Sequence, residues 1–134
     1  MPRIAHVVVE SAAGYGQRIR SGRHELAADE PHSNGGTDTG PAPYALLLAA
    51  LGACTSITLR MYAQRKSWEL GTVRIKLDHL QEGEADRIER EIHFSAPLTG
   101  EQLERLAEIA AKTPVTKTLQ RGAEIVTRVH SGSV

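Results

Sequence analysis

The chain has 134 residues, 40% hydrophobic and 24% charged, which fits one globular domain over 1–134 and excludes a disordered polymer. Sixteen basic and sixteen acidic residues cancel, and no basic tract stands ready to neutralise phosphates, which argues against a nucleic-acid partner. The single cysteine can form no intrachain disulfide, which fits a reducing compartment, and Met1-Pro2-Arg3 leads into alternating residues without a signal-peptide core. These features describe a soluble, cytoplasmic protein.

Residues 4–10, with Val7, Val8 and Val9 in succession, predict a strand. Gly14-Tyr15-Gly16 turns the chain into a second strand over 17–20, and Ser21-Gly22 turns it again into a third over 24–28. Residues 29–43 form a loop rich in glycine and proline, long enough to imply a functional or partner-contacting role. Gly35-Gly36 within it reads as a flexible turn, because the motif context of an anion nest is missing.

A central helix follows, with Pro41 and Pro43 suited to its first turn. From residue 42 to 61, 14 of 20 residues are apolar, and the run 44–51 is unbroken. The stretch 44–54 falls short of the ~20 apolar residues that span a bilayer, so it reads as a core helix with no membrane partner. A helix apolar on all sides must be covered on all sides. One α+β protomer of this size has little material for that, so a second copy is expected to cover part of it in a homodimer. Arg65 and Lys66 suit its last turn.

Residues 72–79 alternate, with Val73, Ile75 and Leu77 on one face. Residues 81–86 are an acidic, solvated turn, and 88–95 return as a second strand with Ile88, Ile92 and Phe94 inward. Thr99-Gly100-Glu101-Gln102 is a capping box for a helix with Leu103, Leu106, Ala107 and Ala110 on its apolar face, ending at Thr113 before Pro114. A short turn over 115–119 and a last strand over 123–129 complete the chain. The six histidines fit no zinc-ligand spacing, His24 and His32 reading as solvated loop positions, so neither a metal nor another cofactor is expected.

Three segments carry a resemblance. Gly35-Gly36-x-Asp38-Thr39-Gly40-Pro41-x-Pro43-Tyr44, followed by Leu46-Leu47-x-Ala49-x-Leu51-Gly52-x-Cys54-Thr55, resembles the signature of the OsmC/Ohr family. The preceding His24–Pro31 stretch (HELAADEP) fits as well, and Ile109-Ala110-x-Lys112-x-Pro114-Val115-x-x-Thr118-Leu119 resembles the C-terminal block. The likeness implies an OsmC-like fold: antiparallel β-sheets wrapping a long buried central helix in an intertwined homodimer. It also implies cysteine-dependent reduction of organic hydroperoxides, as an antioxidant, stress-response peroxidase.

Through the resemblance, Cys54 is the nucleophile that takes the distal peroxide oxygen and becomes a sulfenic acid. The family's second cysteine falls at Thr113 and its helix glutamate at Ala45, so both groups are absent. A one-cysteine cycle drawing on an external thiol reductant is then the implied mechanism. A free thiol has a pKa of ~8.5, and Cys54 lies some three turns beyond the helix N-terminus, out of reach of its dipole. An activating arginine is expected from the N-terminal strands, Arg18 before Arg20, with Tyr44 and Met61 lining a pocket for an apolar hydroperoxide. The alternative is a catalytically reduced dimer that binds a small apolar ligand or serves a structural role, with Cys54 as buried packing.

Overall fold

Gly22, at φ +58°, occupies the first of two turn positions between strands β2 (Gln17–Ser21) and β3 (His24–Ala28), a backbone angle that glycine adopts without steric cost. The computed structural model describes residues 1–133, which group into two units. One comprises residues 1–52 and 76–91; the other comprises 53–75 and the chain from 92 onward.

In the first unit, β1 (Val8–Glu10), β2 and β3 form an antiparallel sheet in that order. Val8 faces Arg20, Glu10 faces Arg18, and Gln17 faces Ala28. The first strand is shorter than the predicted 4–10. Because Ser21 already pairs with His24, the chain ahead of Val8 meets the β2–β3 turn and finds no strand opposite it.

Asp29, directly after β3, organises the next loop from a position only 2% exposed. Its Oδ2 accepts from Thr39 Oγ1 (2.7 Å), Thr37 Oγ1 (2.8 Å) and Thr39 N (3.1 Å), and its Oδ1 from Glu30 N (2.7 Å). Asp29 N also donates to Pro41 O at 3.1 Å. The Thr39 and Thr37 hydroxyls, with the Thr39 amide, hold this carboxyl well below the usual carboxylate range. Gly36 is more than a flexible turn here, since a Cβ at that position would collide with the Glu30 carbonyl.

Helix α1 (Pro43–Lys66) opens on Pro43, while Pro41 stays in the loop. Strands β4 (Val73–Glu82) and β5 (Ala85–Phe94) form a hairpin longer than the predicted pair, closed by Gly83-Glu84 with Gly83 at φ +60°. Within the first unit, Gly52 of α1 leaves room for the Leu77 side chain of β4.

The second unit has an apolar core of Leu59, Tyr62, Ala63, Leu70, Leu106 and Ala110. Helix α1 ends there in a left-handed Ser67 (φ +56°), and Trp68 N donates back to Ala63 O at 2.9 Å. That closure sets the Trp68 ring edge-on to Tyr62, centroids 5.6 Å apart. Helix α2 (Gly100–Ala110) carries the predicted capping box in both directions: Gln102 N to Thr99 Oγ1 at 3.1 Å and Thr99 N to Gln102 Oε1 at 2.9 Å. It ends at Ala110, short of Thr113, and on its apolar face Leu103 and Ala107 remain exposed. Helix α3 (Pro114–Arg121) is longer than the expected turn.

Within the single chain one expected strand is absent, and helix α1 is covered only in part. Residues 123–129 form no strand, and Ile125 and Val129 are 86% and 87% exposed, with no strand opposite them among the described residues. Helix α1 is not buried all round: Leu51, Thr55, Leu59, Tyr62 and Ala63 are buried, whereas Tyr44, Ile57 and Met61 are exposed.

Asp29 has a folded-state pKa below its unfolded value of about 3.9. Its contribution is therefore complete above that value and fades as the pH falls through it. Asp29→Asn is expected to lower the melting temperature at pH 7, with the gap to the unsubstituted protein narrowing between about pH 5 and 2. A gap independent of pH would contradict this role.

Candidate functional site

Cys54 stands just past three turns into α1, half-buried, between exposed Ala53 and fully buried Thr55. Helical spacing decides what shares its face. Ile57 lies three residues on and Met61 seven, both more than half exposed, so the thiol borders an uncovered apolar stripe. The sulfur makes no side-chain hydrogen bond or ion pair among the described residues. Met61, one of the expected pocket residues, is thus placed along the same side of the helix.

The N-terminal arginines are both already paired. Arg18 Nε lies 2.5 Å from Glu25 Oε1, and Arg20 Nη2 lies 3.2 Å from Glu10 Oε1. The antiparallel register produces these contacts by setting β2 between a glutamate of β1 and one of β3. Glu25 was not singled out by the sequence, where only the alternation of charges along strands 17–20 and 24–28 hinted at it.

Thr113, at the position of the expected second cysteine, is fully buried. It precedes α3, and its hydroxyl lies 2.6 Å from that of Thr116, which also donates to Ala110 O at 3.5 Å. The pair is a closed polar contact within the second unit, and a hydroxyl has no disulfide chemistry. Ala45, at the position of the expected glutamate, is exposed in the first turn of α1.

Tyr44 lies in polar company. Its ring meets His79 edge-on, centroids 4.8 Å apart and planes at 86°, and the two line a cavity of about 180 Å³ together with Gln81. His79 Nε2 is 2.8 Å from Asp86 Oδ1, and Gln81 Nε2 donates to the same oxygen at 3.0 Å. Gln81 and Asp86, read from the sequence as part of a solvated turn, are instead tied across the hairpin. The available signal was the turn itself, since two residues at Gly83-Glu84 place Gln81 opposite Asp86. His24 and His32 are exposed, but His24 is the first residue of β3 and pairs with Ser21, so it is not a loop position; no group of three or more metal-ligating side chains occurs among the described residues.

Comparison with known proteins places this geometry. The family model described as OsmC-like protein matches residues 36–128. The fold is similar to that of an OsmC-like protein from Mycoplasma pneumoniae, at 18% identity over 90% of this chain and 89% of that one, with a TM-score of 0.72. It is also similar to the organic hydroperoxide resistance protein OsmC from Legionella pneumophila, at 17% identity, 89% and 92% coverage and a TM-score of 0.64. A third likeness is to the organic hydroperoxide resistance protein OhrB of Bacillus subtilis, at 20% identity, 88% and 91% coverage and a TM-score of 0.63. Comparison of the sequence with curated proteins finds no match.

The Thr113–Thr116 contact predicts a coupled pair of substitutions. Thr113→Val is expected to cost about 1 kcal/mol by withdrawing a buried partner from Thr116. The double variant Thr113→Val/Thr116→Val should cost less than the sum of the singles in denaturant titrations. Strict additivity would show that the two hydroxyls do not depend on each other.

Proposed function

Because the chain belongs to the OsmC-like protein family, whose model covers residues 36–128, we propose that it is a cytoplasmic thiol peroxidase that reduces organic hydroperoxides through Cys54. The observation that carries this reading is the position of the only cysteine, half-buried on the signature helix beside an exposed apolar stripe. An alkyl or aryl group packs against Ile57 and Met61 while the peroxide reaches the sulfur. Tyr44, the other expected pocket residue, lines a cavity with His79 and Gln81 in the first unit.

The reaction balances with a single cysteine. The Cys54 thiolate attacks the distal oxygen of R–O–O–H, the O–O bond breaks, and the alkoxide takes a proton and leaves as ROH. Sulfur is oxidised by two electrons to a sulfenic acid. An external thiol then condenses with it, releasing water and leaving a mixed disulfide. A second thiol attacks that disulfide, restores the Cys54 thiol and departs as the oxidised reductant. No resolving cysteine is required, which is why Thr113 is compatible with turnover.

Arg18 is assigned the electrostatic role at the thiolate. Its ion pair with Glu25 is exposed, and exposed pairs contribute only ~0–1 kcal/mol to stability, so its use lies in aligning the guanidinium. Glu25 then supplies from β3 the carboxylate that Ala45 cannot supply from α1.

A second copy of the chain is part of the proposal. Exposed Ile57 and Met61 on α1, with Ile125, Val126 and Val129 on the unpaired C-terminal segment, are a large apolar surface for one protomer. By length and hydropathy alone α1 also meets the requirements of a membrane span. Its contribution of Leu59, Tyr62 and Ala63 to a packed core supports a core helix instead. The family match runs through both units, which supports a single domain.

Two measurements test these points. With cumene hydroperoxide and a dithiol, the protein is expected to consume peroxide, Cys54→Ser to lose all turnover, and Arg18→Met and Glu25→Gln to slow it. Turnover that persists in Cys54→Ser would overturn the assignment. Turnover absent from the unsubstituted protein would favour the second reading, a family member without catalysis that binds a small apolar ligand, which the loss of both Thr113 and Ala45 partners supports. Light scattering is expected to give twice the 14.5 kDa chain mass, and a stable monomer would contradict the covered helix.

A further inference from the structure

The hairpin end of the first unit carries a group of polar side chains that the thiol chemistry does not use. His79 is 13% exposed and lines the cavity with Tyr44 and Gln81, and Asp86 stands behind it at 2.8 Å. Donor and acceptor roles follow from the carboxylate. An ionised Asp86 only accepts, so both groups that reach its Oδ1 must donate. The hydrogen bonds from His79 and Gln81 hold the Asp86 carboxyl below its ordinary value, in keeping with an ionised group.

Two consequences fix the chemistry of the cavity wall. In its neutral form His79 carries its proton on Nε2 and offers Nδ1 as an acceptor, and Nδ1 has no hydrogen-bond partner among the described residues. Gln81 uses its amide nitrogen on Asp86, so its carbonyl oxygen is the group left over. Tyr44 adds a ring with π density. The adjoining turn holds Glu82 and Glu84 in addition to Asp86, so the surroundings are acidic. At about 180 Å³ the cavity is smaller than the ~300 Å³ of sites that enclose drug-sized ligands.

We propose that the cavity lined by Tyr44, His79 and Gln81 is a binding site for a small organic cation bearing N–H donors, a primary ammonium group on a short chain. The ammonium donates to His79 Nδ1 and Gln81 Oε1 and is attracted by the Tyr44 ring. Asp86 is a positioning residue: it selects the histidine tautomer that accepts. The proposal uses no atom of Cys54, so its fate and that of the peroxidase reading are separable.

The test is nuclear magnetic resonance on the full chain, following the His79 ring nitrogens during titration with n-butylammonium chloride. A saturable shift is expected with this probe and not with tetramethylammonium, which has the charge without N–H donors, or with butyrate. No saturable shift, an equal response to tetramethylammonium, or binding of butyrate would each overturn the proposal. Asp86→Ala removes the oxygen that accepts from both His79 and Gln81, and is expected to free the His79 ring proton to redistribute between Nε2 and Nδ1 and to weaken binding roughly tenfold. An unchanged ring-nitrogen pattern in a folded Asp86→Ala would refute the positioning role. Tyr44→Leu leaves the hairpin intact and is expected to weaken binding roughly threefold; unchanged affinity there would also count against the site.

Discussion

Helix α1 is apolar around most of its circumference, and within one chain it is covered only in part. Helix α1 buries a stripe from Leu51 to Ala63 and leaves Tyr44, Ile57 and Met61 in the open. Burial is worth ~25 cal/mol per Å² of apolar surface, so the uncovered stripe is a standing drive toward association. The C-terminal segment presents the same situation in another form. Its apolar residues have strand-like patterning and pair with no strand among the described residues. Both features leave apolar side chains uncovered within one protomer.

The chemistry proposed for Cys54 depends on that same helix. Its thiol lies too far along α1 for the N-terminal dipole to stabilise a thiolate. The proposal therefore assigns the positive charge to another element, to Arg18, whose guanidinium is paired with Glu25. It likewise assigns the reducing step to an external thiol, since Thr113 has no disulfide chemistry. The buried Thr113–Thr116 contact keeps that region packed without redox chemistry.

Local signals made much of this legible in the sequence. The capping box at Thr99, the turn glycines at 22 and 83, the alternation along β4 and the apolar run of α1 each report on residues within a few positions of one another. The candidate nucleophile was legible for the same reason, being the only cysteine in a recognisable helix. Asp29 was not, because its partners Thr37 and Thr39 are brought to it by a loop whose path depends on Gly36 passing close to Glu30. The His79–Asp86–Gln81 group was also hidden, since strand register is needed to bring these residues together. The failed strand at 123–129 is the opposite case: its pattern suits pairing, yet it pairs with no strand among the described residues.

The central claim is that Cys54 is a nucleophile toward peroxides and not only a packed thiol. It is tested most directly by the rate at which Cys54 becomes a sulfenic acid under cumene hydroperoxide, read by dimedone trapping and intact-mass spectrometry. The account predicts a rate well above that of free cysteine at the same pH. A rate no greater than that of free cysteine would contradict it.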